Sequence, residues 1–95
     1  MKKTQQTYQV ITEYGIHARP AAEIVTYCKS FDEEIELVNS TSRINAKSIL
    51  DWLSLGVEYQ EQCRIIFHEN GQASETFYKG LEALTVNEEP ILARI

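Results

Sequence analysis

The sequence predicts an α+β domain in which a four-stranded antiparallel sheet carries three helices on one face, in the order β-α-β-β-α-β-α. Three observations carry that expectation. Ala21, Ile24, Val25 and Cys28 repeat at the spacing of a helix with one apolar face. The runs TYQVIT, IELV and RIIFH are short and rich in β-branched or aromatic residues, as half-buried strands are. Turn-forming clusters such as Asn39-Ser40-Thr41 and Glu69-Asn70-Gly71 fall between the periodic segments.

Taken in order, Thr7 to Thr12 reads as the first strand and Glu13-Tyr14-Gly15 as a loop. A helix begins at Ala18 and closes at Ser30-Phe31-Asp32. Ile35 to Val38 alternates apolar and polar as a strand does, and Ser42 to Asn45 reads as its short return partner. Ser48 to Leu53 forms a short helix stopped near Gly56, and Arg64 to His68 the next strand. A second long helix runs from Ala73 to about Val86, with Phe77, Leu81 and Leu84 on one face. Asn87-Glu88-Glu89-Pro90 breaks that helix and leaves Ile91 to Ile95 as a tail. The element order alone also fits a ferredoxin-like domain with an added short helix.

Ninety-five residues suit one domain, with its core over about residues 7–86 and a short tail over 87–95. A hydrophobic fraction of 43% and a charged fraction of 24% are those of a soluble globular chain. No apolar stretch approaches the roughly 20 residues a membrane span needs. The opening MKKTQQTYQV has lysines but no apolar run behind them, unlike a secretory signal, so the cytoplasm is the expected location. The net charge of −5 argues against direct binding of nucleic acid and suits partners with basic surfaces. Cys28 and Cys63 have no metal-ligand spacing and read as reduced, buried thiols. No metal site or cofactor is implied, and a monomer is expected.

The stretch GIHARPAA, residues 15–22, carries the chemistry. A helix starts with backbone N–H groups that lack internal partners, and its dipole is positive there, so it receives anions. Pro20 falls in the first turn, where its missing N–H costs least, and Gly15 allows a sharp bend before it. His17 stands at the cap position, and an imidazole nitrogen is a nucleophile near neutral pH. Arg19 adds a guanidinium fork matched to phosphate oxygens. The stretch thus combines a nucleophile, an anion cradle and a counter-charge; a solvated cap is the plainer alternative. There is no Gly-rich Lys-Ser/Thr nucleotide loop, so the expected phosphoryl donor is another protein.

GIHARPA resembles the active-site signature of the HPr family, the histidine phosphocarriers of the bacterial phosphoenolpyruvate-dependent phosphotransferase system. INAKSILDWLSLG, residues 44–56, resembles that family's second signature, around a regulatory serine. The spacing between His17 and Ser48 matches as well, and the resemblance runs from about Thr7 to Leu84. It implies an open-faced β-sandwich and a covalent carrier rather than a turnover enzyme. It makes His17 the residue phosphorylated on Nδ1 and Arg19 its neutralising partner, with Ala18 and Pro20 setting the helix start as the phosphate cradle. It names enzyme I as donor and the A domains of sugar-specific permeases as acceptors. Ser48 matches the serine modified by an HPr kinase/phosphorylase, whose product acts with a LacI-type catabolite-control repressor. Ile49, Leu50 and Leu53 match an apolar patch that docks partners.

Ser48 with Asp51 is also a helix-capping pattern, which explains the serine without regulation. Asp51 departs from the family, in which glycine or a basic residue is common there, and a carboxylate in that turn repels phosphoserine. Core packing is the alternative for Ile49 and Leu53, whereas Trp52 is expected to pack inward. His68 belongs to neither motif and reads as structural or solvent-facing. A regulatory HPr-like binding module acting through Ser48 is the second functional reading. A ferredoxin-like ligand or metal domain is the third, with little support from two distant cysteines and two histidines.

Overall fold

The computed structural model describes residues 2–69 and 73–95, so the turn expected at Asn70-Gly71 lies outside the described residues. Its elements are β1 (Lys2–Val10), α1 (Ala18–Lys29), β2 (Ile35–Val38), β3 (Arg43–Asn45), α2 (Ile49–Leu55), β4 (Gln62–Glu69), α3 (Ser74–Glu82), β5 (Thr85–Val86), β6 (Glu89–Pro90) and β7 (Leu92–Arg94). Among the described residues the main sheet has five strands in the order β3-β2-β4-β1-β7, every pair antiparallel. The four expected strands and three expected helices are all present, and the extra edge strand comes from the segment read as a tail.

The strands alternate between a packed face and an open face. Tyr8, Val10, Ile35, Leu37, Cys63, Ile65 and Phe67 point inward and share one core with Ile24, Val25 and Cys28 of α1, Trp52 of α2, and Phe77 and Leu81 of α3. The intervening Lys3, Gln5, Arg43 and Arg64 are exposed on the other side. Phe67 of β4 stacks on Phe77 of α3 with ring centroids 4.8 Å apart, and Phe31, just beyond α1, meets both rings edge-on. Both cysteines are free and buried. No helix of the described residues is long and apolar enough to cross a membrane.

Beyond shifts of one or two residues, such as β1 ending at Val10 rather than Thr12, three differences from the sequence reading stand out. β1 begins at Lys2 rather than Thr7, because β4 supplies hydrogen-bonding partners along its whole length, from Lys2 opposite Glu69 to Gln9 opposite Gln62. α3 stops at Glu82 instead of running to Val86, and the chain turns so that Val86 enters the core from an extended segment. The third difference follows from the second. β5 and β6 form a hairpin whose two turn residues, Asn87 (φ 52°) and Glu88 (φ 67°), are both left-handed, as a two-residue type I′ turn requires. Beyond it, Ile91 and Leu92 are buried, and Leu92, Ala93 and Arg94 pair with Val10, Gln9 and Tyr8. Burying two such side chains contributes about 1.5–3 kcal/mol each, enough to hold a three-residue strand in place. Arg94 then ties β7 to α3, donating to Glu75 and, at 2.7 Å, to Glu82.

Candidate functional site

The β1–α1 loop is folded around Gly15. Its φ of 69° is a left-handed value, its N–H donates to the Thr12 carbonyl at 3.1 Å, and a Cβ there would sit 3.1 Å from the Val57 carbonyl oxygen. Ile16 is buried, and its N–H donates to that same carbonyl at 2.8 Å. The loop before α1 is thereby fastened to the loop after α2.

His17 follows as the N-cap of α1, with extended backbone (φ −95°, ψ −163°). Its carbonyl accepts from Ala21 N–H at 2.9 Å, starting the helix, while its exposed side chain makes no cap hydrogen bond. The imidazole is therefore available at the end of the helix. The N–H groups of Ala18 and Arg19 have no backbone partner among the described residues, and Pro20, buried beneath them, has none to offer. No acidic side chain occupies this first turn, so none of its own residues offsets the positive end of the helix. Arg19 is exposed and makes no ion pair among the described residues.

His17, Ala18, Arg19 and Pro20 line one cleft of about 450 Å³, with Tyr14 from the preceding loop and Val86 and Asn87 from the β5–β6 hairpin. The four residues expected at the histidine site are thus together. Tyr14, Val86 and Asn87 were not legible as site residues. Asn87 did carry one signal, because an Asn in a break before a β-like run is suited to a left-handed turn position.

The second expected locus lies on α2, outside that cleft. Ser48 is the N-cap, and its Oγ accepts from Asp51 N–H at 3.2 Å. The Asp51 carboxylate turns back and accepts from Asn45 N–H at 3.2 Å, locking the turn between β3 and α2. Trp52 points inward as expected, fully buried, its indole N–H donating to the Ala46 carbonyl at 2.8 Å. Ile49, Leu50 and Leu53 face outward, Leu50 with 74% of its surface exposed. Ile49 and Leu53, 37% and 40% exposed, stand outside the core cluster, which counts against the alternative of core packing for them. α2 spans about 10 Å and leads from Ser48 to Val57, which holds Ile16, so the two loci are linked through one short helix. His68 is half-buried on the open face of the sheet and bonded to Glu36 at 2.7 Å, away from both.

A family model described as the PTS HPr component phosphorylation site matches residues 4–86 of this sequence. This chain belongs to the HPr family. The phosphocarrier protein HPr of Treponema pallidum (strain Nichols) is 46% identical over 50 residues, which cover 53% of this chain and 57% of that protein. The chain therefore spans little more than half the length of that relative. Among solved structures, a phosphocarrier protein HPr from Bacillus anthracis str. Ames is similar with a TM-score of 0.75 and 30% identity, covering 85% of this chain and 94% of that one. HPr-C-His from Thermoanaerobacter tengcongensis is similar with a TM-score of 0.70 and 31% identity, over 85% and 86% of the two chains. The open-faced α+β sandwich is that of the HPr structures.

Proposed function

We propose that this HPr-family chain is a phosphocarrier that accepts a phosphoryl group on His17 from phosphorylated enzyme I and passes it to sugar-permease A domains. The observation that carries this reading is the exposed imidazole of His17, free of a cap hydrogen bond, beside the Ala18 and Arg19 N–H groups that have no backbone partner among the described residues. The lone pair of Nδ1 attacks phosphorus, a P–N bond forms, and the bond between phosphorus and the donor breaks. The three phosphoryl oxygens then lie over the positive end of α1, with the Arg19 guanidinium as counter-charge. The reverse displacement hands the group on. The protein has no turnover substrate in this scheme; it is the covalent intermediate.

The test is incubation with phosphoenolpyruvate and purified enzyme I, read by intact mass. One acid-labile phosphoryl group is expected, absent from His17→Ala. No gain, with the same enzyme I active on an ordinary HPr, refutes the reading.

A regulatory role through Ser48 is the second reading, favoured by the outward-facing Ile49, Leu50 and Leu53 next to a half-buried serine hydroxyl. It predicts phosphorylation of Ser48 by an HPr kinase/phosphorylase and binding of the product to a LacI-type catabolite-control repressor. The Asp51 carboxylate, bonded to Asn45 N–H in the turn that precedes α2, opposes a phosphate there.

A further inference from the structure

The β5–β6 hairpin, whose Val86 and Asn87 line the cleft with His17, is held from both sides. Before its tip, Val86 is buried in the core. After it, Ile91 is buried, its N–H donates to the Leu84 carbonyl at 3.3 Å, and β7 joins the sheet. The tip is therefore placed by the fold, and it presents Asn87 to the cleft that His17 and Arg19 line. Of the two hairpin residues in that cleft, Val86 is apolar and Asn87 alone carries side-chain hydrogen-bond donors. The Asn87 amide has no hydrogen-bond partner among the described residues.

We infer that Asn87 is a further phosphoryl-contacting residue: its side-chain amide donates to an oxygen of the phosphoryl group on His17 from the wall facing Arg19. This rests on the carrier reading of His17. A phosphoryl group carries close to two negative charges and offers three acceptor oxygens. The Ala18 and Arg19 N–H groups and the guanidinium serve the side toward α1. Oxygens turned into the cleft face the hairpin, where a neutral donor on a fixed turn satisfies them. An amide there favours the dianionic form of the phosphoryl group and lowers its second pKa.

The test separates the amide from the turn. Glycine and aspartate both suit a left-handed turn position, so Asn87→Gly removes the donor and Asn87→Asp replaces it with a charge while the hairpin is kept. The proteins are phosphorylated with potassium phosphoramidate, whose P–N bond breaks as the bond to imidazole forms and ammonia leaves. The pH titration of the phosphohistidine ³¹P resonance is followed, with His17→Ala identifying the signal. The expected result is a rise in the second phosphoryl pKa of several tenths of a unit for Asn87→Gly and a larger rise for Asn87→Asp. Identical titrations in all three proteins, with unchanged melting temperatures, overturn the assignment. If the variants melt early, the decisive reading moves to the wild type, whose Asn87 side-chain amide protons shift downfield on phosphorylation or leave the inference refuted. Phosphoramidate needs no partner protein. Phosphorylation by it but not by enzyme I refutes the carrier reading while Asn87 is still tested, and phosphorylation of His17 by neither donor refutes both.

Discussion

Replacing Gly15 with alanine probes how the fold presents the histidine. The substitution has two costs. At φ 69° an L side chain pays the left-handed penalty, about 1–2 kcal/mol. The new Cβ also arrives 3.1 Å from the Val57 carbonyl oxygen, which already accepts from Ile16 N–H at 2.8 Å. Moving apart to relieve that contact weakens a hydrogen bond worth about 1 kcal/mol. Gly15→Ala is therefore expected to destabilise the protein by about 1–3 kcal/mol, lowering the melting temperature by roughly 4–8 °C for each kcal/mol. Because Ile16 immediately precedes His17, phosphoryl acceptance should slow as well. Gly15→Asn divides the two terms, since asparagine tolerates the left-handed region but still carries a Cβ, and it should fall between glycine and alanine. Urea melts followed by circular dichroism give the stabilities. A loss below about 0.5 kcal/mol for Gly15→Ala, within the range of ordinary surface substitutions, would refute the claim that this glycine sets the loop.

Three other outcomes are expected. Ser48→Ala removes the cap on α2 and should cost about 1 kcal/mol, whereas Ser48→Asp, itself a capping residue, should cost much less; equal losses in urea melts would contradict a capping role. Burial pushes the Glu36 carboxyl up, but hydrogen bonds from His68 and Arg43 and their charges outweigh it and hold the carboxyl below its ordinary value. Its stabilisation is then complete above the ordinary carboxylate pKa and lost as pH falls through the lower folded value, so the stability gap between wild type and Glu36→Gln should close in melts taken from pH 7 down to pH 3. Burial pushes the thiols of Cys28 and Cys63 up to about 12, so a thiol-specific reagent should label the native protein slowly and the urea-unfolded protein fast; rapid native labelling would contradict their burial.

The candidate site around His17 was legible because its parts are contiguous: Gly15, His17, Arg19 and Pro20 mark a bend, a cap and a first turn within a few residues. Trp52 was legible as an inward residue, and the thiols as buried ones, because each is large or apolar enough for burial to dominate. The first half of β1 was not. Lys3, Gln5 and Gln6 give no apolar alternation, and only the long pairing with β4 makes them strand. The far wall of the cleft was hidden for a different reason. Asn87-Glu88 lacks the glycine that usually marks a type I′ turn, and β5, β6 and β7 are two or three residues each. Such strands have no periodicity to read; burial of Val86, Ile91 and Leu92 decides them, and burial depends on the rest of the fold.

The central claim is that the end of α1 receives a phosphoryl group carried by His17. The most direct measurement is a ¹H–¹⁵N correlation spectrum recorded before and after phosphorylation by phosphoenolpyruvate and enzyme I. The account predicts one acid-labile phosphoryl group by mass, together with downfield shifts of the Ala18 and Arg19 amide protons as they take up its oxygens. A phosphorylated protein in which those two amides stay in place would contradict it.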